Sequence, residues 1–349
     1  MMRPLTIAFL FLCCAVLWGC GENKPTSTDA DVEGNSVYYW KTEFRLSPWE
    51  KSFLKDNDIK RIYLRVFDVD CGMDYNGINK PIPIGSITFK DSVPTGIDVV
   101  PVVFITKDAL QHAYNNGVYD KRLDLARLIF ERIKAMAKGN GIKAFHEVQL
   151  DFDWAQSNRA DFFDFCKQMK SCLEEGVKLS CTLRLHQLRG EMPPVDRATL
   201  MLYNTGSLYN PQTKNSILDA GDVKPYLKGK IACRLPLTVA YPTYSWGILM
   251  RGDKLVRILH HSDFSDSALY QHVGEGKYRV LQDHELDGQQ LLKGDVIRIE
   301  NSKIETILQV KELILDHLAQ KPRFNIVYHL DSANLQKYKE EDIRNIFNN

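Results

Sequence analysis

From residue 37 onward, short apolar or alternating runs take turns with segments in which apolar side chains recur every three or four positions. The first kind predicts strands at 37–44, 61–69, 98–106, 147–153, 179–186, 199–204, 232–241 and 324–330. The second predicts helices at 48–56, 121–138, 159–174, 303–320 and 334–347, with a short piece near 217–227. Strands separated by helices imply a parallel sheet, and eight is the number that closes a barrel. The predicted fold is therefore α/β, a (β/α)8 TIM barrel. A doubly wound open sheet is the competing arrangement, but no Gly-rich turn follows the first strand to support it. Two connections break the rhythm. A long loop at 71–93, carrying Gly72, Gly77, Pro81, Pro83 and Gly85, follows the second strand. An insertion at about 246–299, with strand-like pieces at 278–281 and 296–299, follows the seventh. Both should sit at the C-terminal mouth of the barrel, as lid or specificity loops or as a small β-rich subdomain.

Alternation along a strand sorts the polar residues. In Val148-Gln149-Leu150-Asp151-Phe152-Asp153-Trp154 the two aspartates point one way, and Leu150, Phe152 and Trp154 the other. Two like charges on one strand face repel, and burial raises their pKa, so such a pair belongs over a cleft. On the fifth strand Ser180, Thr182, Arg184 and His186 alternate with apolar residues and should line the barrel interior. On the eighth, Asn325, Val327, His329 and Asp331 share a face. Leu202 and Asn204 alternate with Met201 and Tyr203 on the sixth. The first two strands add Trp40, Glu43, Arg45, Asp68 and Asp70. Acids, an arginine, two histidines and the rings of Trp40, Tyr203 and Trp246 thus converge on one mouth. Plainer roles exist for most of them. Arg184 would neutralise Asp151, His186 and His329 would be hydrogen-bonded lining, and Asp68 and Asp70 would cap a turn before Gly72. Asp151 and Asp153 together point to function.

The N-terminus changes the picture of where the barrel works. Arg3 precedes an apolar run at 5–17, roughly thirteen residues, which is short for a spanning helix and fits a secretory h-region. The following Leu17-Trp18-Gly19-Cys20 resembles a bacterial lipobox, although Trp18 is bulkier than usual there. That resemblance implies a signal peptide at 1–19, a lipidated Cys20 and acyl-chain anchoring in the bacterial cell envelope. Residues 20–36, rich in Ser, Thr, Asp, Gly and Asn, read as a flexible tether, and 37–349 as the barrel domain. A formal net charge of +1 gives no support to a nucleic-acid partner. Of eight cysteines, Cys71, Cys166, Cys172, Cys181 and Cys233 fall in the barrel domain without metal-ligand spacing, so buried free thiols are expected. Neither a cofactor nor a bound metal is expected.

Leu150-Asp151-Phe152-Asp153-Trp154 resembles the fourth-strand signature of family-18 chitinases and related glycoside hydrolases, Asp-x-x-Asp-x-Asp-x-Glu. The resemblance places Asp151 and Asp153 on the second and third acids, the third being the one that assists the substrate's N-acetyl group. Val148 stands at the first acid and Ala155 at the general-acid glutamate, so the family's proton donor is missing. More broadly, the stretches 37–70, 148–159, 182–187 and 200–206 are similar to bacterial lipoproteins of a glycoside-hydrolase-like type.

Three functions follow. The first is a lipid-anchored glycoside hydrolase acting on an oligosaccharide or glycan. Asp151 and Asp153 would work with a second acid from Glu43, Asp70 or Asp331, while Arg184 and His186 orient the acids and Trp40, Tyr203, Asn204, Trp246 and His329 contact sugar. The second is a carbohydrate-binding lipoprotein that has lost its general acid. The third is a metal-dependent hydrolase using Asp151, Asp153, His186 and His329.

Overall fold

The computed structural model describes residues 33–348, apart from 74–76, 78, 116–121, 211 and 261–262. The predicted signal peptide, Cys20 and most of the tether lie outside the described residues. Eight parallel strands form the central sheet: β1 Ser36–Tyr39, β2 Arg61–Met73, β3 Asp98–Ile105, β4 Glu147–Asp151, β5 Lys178–Leu183, β6 Arg197–Met201, β7 Leu237–Pro242 and β8 Asn325–Tyr328. They pair in chain order, and β1 closes the ring by pairing with both β8 (Ser36 opposite Ile326) and β2 (Ser36 opposite Arg61). That closure makes the molecule a TIM barrel rather than an open sheet.

The barrel's helix-facing layer is apolar, as the strand alternation requires. Val148, Leu150 and Phe152 from β4 and its end, with Cys181 and Leu183 from β5, are buried among Phe162, Phe165 and Cys166 of the helix Arg159–Cys172. Cys166 and Cys181 are buried and Cys71, Cys172 and Cys233 partly so, all as free thiols. The interior is polar near the N-terminal end. Glu147 of β4 meets Arg61 of β2 at 3.3 Å and Arg197 of β6 at 3.2 Å, while Arg61 also bonds Asp98 at 2.8 Å. Above this plug, Tyr38 donates to Gln149, which donates to Thr199 at 3.0 Å, and Thr199 bonds Thr238 at 2.9 Å.

The first irregular connection is more ordered than expected, and the second takes the β-rich form that was one of its two expected alternatives. β2 does not turn before Gly72. It runs on to Met73 and returns as the antiparallel strand Asn79–Ile84, with Cys71 opposite Pro81 and Val69 opposite Pro83. The prolines suggested a loop, but an edge strand accepts residues that lack an N–H. The insertion folds as a five-stranded antiparallel sheet in the spatial order Lys254–Leu259, Ser245–Arg251, Val296–Asn301, Lys277–Val280, Tyr270–Gly274. It has its own small core of Leu249, Leu259, Phe264, Tyr270, Val280 and Ile297.

Candidate functional site

β4 ends at Asp151, the last residue of the strand, and its side chain enters the barrel beneath the mouth. Its carboxylate accepts from the Thr182 hydroxyl at 2.6 Å, and the Arg184 guanidinium stands 3.7 Å away. Burial holds this carboxyl above the usual carboxylate range, and Asp153 and Asp68 add to the rise against Arg184 and Thr182. Asp153 has the opposite setting: its side chain is 44% exposed, against 4% for Asp151. Gln187 Nε2 stands 3.5 Å from its carboxylate and His186 Nε2 stands 3.9 Å away. Trp154 turns outward and stacks on Phe162 at 5.1 Å, so the expected division of faces along this segment is what the structure shows. Ala155 is exposed, and its amide donates to the Asn158 side chain at 2.8 Å, so the acid position of the resembling motif carries only a methyl group.

β5 stops at Leu183, and Leu185–Gln187 form a single 3-10 turn. Arg184 still points inward, with one guanidinium nitrogen against the Met201 sulfur. His186 does not: the turn carries it out of the lining to an exposed position at the rim. Gln187 takes the buried place, donating to the Trp154 carbonyl at 2.9 Å and accepting from the Arg184 amide at 2.7 Å. Sequence reasoning passed over this residue. Its signal is a polar side chain four residues beyond the strand end and three beyond Arg184, where it can bond back to the Arg184 amide.

A second group gathers around a cavity of about 610 Å³ at the strand C-termini, walled by Trp40, Tyr244, Trp246 and Tyr328 and reached by Asn204, His329 and Asp331. Tyr328 joins the two groups. Its ring stacks on Tyr203 at 4.2 Å and meets Trp40 at 5.6 Å. The Tyr203 hydroxyl is buried and meets no hydrogen-bond partner among the described residues. Asn204, in a left-handed conformation at φ 53°, accepts from the Tyr244 hydroxyl at 2.7 Å.

The eighth strand corrects the expected parity. Tyr328, not Val327, faces the barrel axis, where its ring touches Tyr38, Trp40 and Tyr203. Asn325 points outward and donates to the Phe347 and Asn348 carbonyls at 3.2 Å, tying down the C-terminal helix Glu340–Phe347. His329 and Asp331 lie past the strand end, where alternation no longer applies. Burial pushes the His329 imidazole down to about 4; Asp331 opposes this and Lys41 adds to it. Lys41 pairs with Asp331 at 3.2 Å and with Glu50 at 2.8 Å.

The remaining acids stand apart from Asp153 in their bonding. Glu43 belongs to a separate two-residue strand and pairs with Arg45 at 2.8 Å in solvent. Asp70 accepts from the Thr106 hydroxyl at 2.7 Å and the Cys71 amide at 2.8 Å, and Asp68 bonds Arg65 at 2.7 Å. The two histidines do not meet: His186 lies beside Asp153, and His329 beside Asp331. Among the described residues, no three His, Cys, Asp or Glu side chains converge as a metal site.

No family model matches the chain, and no curated protein is similar to it at a significant level. Solved structures with similar folds include a chitinase from Chromobacterium violaceum ATCC 12472, with a TM-score of 0.47 and 12% identity over 90% of this chain and 98% of that one. The Bacillus cereus spore cortex-lytic enzyme SleL gives a TM-score of 0.46 and 14% identity over 85% and 71%. A chitinase from Bacteroides thetaiotaomicron gives 0.45 and 13% over 90% and 96%.

Proposed function

We propose that the protein binds an oligosaccharide or glycan at the barrel mouth and does not cleave it. The observation that carries this reading is the aromatic-walled cavity at the strand ends, with a half-exposed Asp153 in the neighbouring group and Ala155 where a proton donor would be needed. Flat rings pack against the C–H faces of sugars, and a few convergent polar groups fix orientation. Cleavage by the usual two-carboxyl route requires a second carboxyl about 5–10 Å from the first, and the N-acetyl-assisted route still requires a proton donor, the place that Ala155 occupies. The acids expected to supply the second carboxyl, Glu43, Asp70 and Asp331, are each held by a partner of their own.

Hydrolysis is the second reading, favoured by one feature. Asp151 and Asp153 are neighbouring carboxyls with opposed environments, one buried and one open, which is the arrangement that separates acid from base roles. The test is titration of the full chain with the tetramers of N-acetylglucosamine and of glucose, with product analysis of each mixture. Binding without released sugar is expected. Asp153→Asn should weaken it roughly tenfold or more, the cost of a charged hydrogen bond of about 1.5–3 kcal/mol. Sugar released by wild type and not by Asp153→Asn would transfer the assignment to hydrolysis.

In this reading Cys20 carries the acyl chains that hold the barrel at the bacterial envelope. The support is the apolar run at 5–17 and the lipobox-like residues that end it. Among the described residues, no helix is long and apolar enough to cross a membrane. Cys20→Ser should move the protein from the membrane fraction to the soluble one and abolish labelling by radioactive palmitate. Unchanged membrane association and labelling would contradict the anchor.

A further inference from the structure

Trp246 reaches the cavity from the insertion, and its orientation depends on a charge buried behind it. Trp246 and Glu300 lie directly opposite each other on the antiparallel strands Ser245–Arg251 and Val296–Asn301. The indole Nε1 donates to Glu300 Oε2 at 2.7 Å. The same oxygen accepts from the Ser216 hydroxyl, and the other, Oε1, accepts from Arg298 Nε at 2.7 Å. The Glu300 and Arg298 side chains are 0% and 3% exposed, so this is a fully desolvated ion pair. Arg298 also donates to the Asn210 carbonyl at 3.2 Å, and Asn215 donates to the Asn301 carbonyl at 2.8 Å. The pair therefore fastens three things at once: the insertion, the loop that follows β6, and one wall of the cavity.

Such a pair is a costly way to gain stability, since apolar residues of equal volume generally do as well. What an apolar substitute would not do is accept the indole N–H and hold that ring at one angle. Its angle matters, because the ring packs edge-on against Tyr244 at 5.1 Å and 62°, and Tyr244 in turn bonds Asn204 at 2.7 Å. Glu300 is not among the residues lining the cavity.

We infer that Glu300 is a positioning residue for the glycan site, acting through Trp246, an assignment that rests on the reading of the cavity given above. Breaking only one member of the pair would leave a buried charge and confuse orientation with folding. Two double variants separate them. Arg298→Met with Glu300→Gln removes both charges and keeps a carbonyl acceptor for the indole. Arg298→Met with Glu300→Leu removes the acceptor as well.

Both proteins should fold, the Leu variant melting somewhat lower because the Ser216 hydroxyl loses its acceptor along with the indole. Affinity for the N-acetylglucosamine tetramer should stay near wild type in the Gln variant and fall about tenfold in the Leu variant. In a Trp246→Phe background, which lacks the indole donor, the two should bind equally. The Trp246 indole N–H resonance should keep its position in the Gln variant and shift in the Leu variant. Equal binding by the two double variants, or a difference that persists without the indole, overturns the inference and leaves the glycan reading standing. If wild type binds no tetramer, the glycan reading fails instead, and an indole resonance identical in both variants would still overturn the positioning of Trp246.

Discussion

Asp151 and Asp153 are two residues apart yet lie in opposite solvents, and that contrast decides what each can do. Asp151 is locked under the mouth by Thr182 and Arg184, while Asp153 is the one that can meet a ligand. His329 gives the sharpest pH prediction at this scale. Its folded imidazole is pushed down to about 4, below the ordinary value near 6.5, so the unfolded chain binds more protons between those limits. The resulting stability is present above about pH 6.5 and is lost as pH falls toward 4. His329→Gln should flatten this part of the acid limb in thermal melts; a limb as steep as that of wild type would contradict it. The acid pair was legible in the sequence because strand alternation is a local rule. His186 was not, because alternation assigns faces only while the strand lasts; Asn325 was not, because alternation says which residues share a face and not which face points inward. β5 ends before His186, and Tyr328 rather than Val327 holds the inward position on β8.

At the scale of elements, β4 shows how one strand serves two purposes. Its inward residues run from the Glu147 plug through Gln149 to Asp151 under the mouth, so the same alternation that fixes the floor delivers the acid. Glu147→Gln leaves Arg61 and Arg197 short of a shared counter-charge in a buried place. The loss should be about 3–5 kcal/mol in denaturant unfolding. A loss below about 1 kcal/mol, the range of an exposed pair, would show that the plug is not an interior network. Elements with regular periodicity were readable, including most helices and all eight strands. The hairpin formed by β2 and Asn79–Ile84 was not, because Pro81 and Pro83 carry a turn-like signal that an edge strand tolerates. The fifth strand also ended short of the expected 186, and there Gln187 bonds back to the Arg184 amide.

For the whole molecule, closure of eight strands brings the ends of distant segments to one rim, and the insertion supplies a wall that the barrel lacks. The cavity therefore draws Trp40 from β1's end, Tyr328 from β8 and Trp246 from the insertion. The sequence pointed to the rim, the insertion and the rings of Trp40 and Trp246, but not to Tyr244 and Tyr328, since Tyr328 meets Trp40 and Tyr244 only when the ring closes. The central claim is that the cavity's aromatic floor binds sugar, and a calorimetric titration of the full chain with the N-acetylglucosamine and glucose tetramers tests it. Wild type should bind at least one of them, and Trp40→Ala and Trp246→Ala should each lose about tenfold or more in affinity, the usual cost of truncating a central aromatic contact. Wild-type affinity retained in both variants, or no heat with either tetramer, would contradict it.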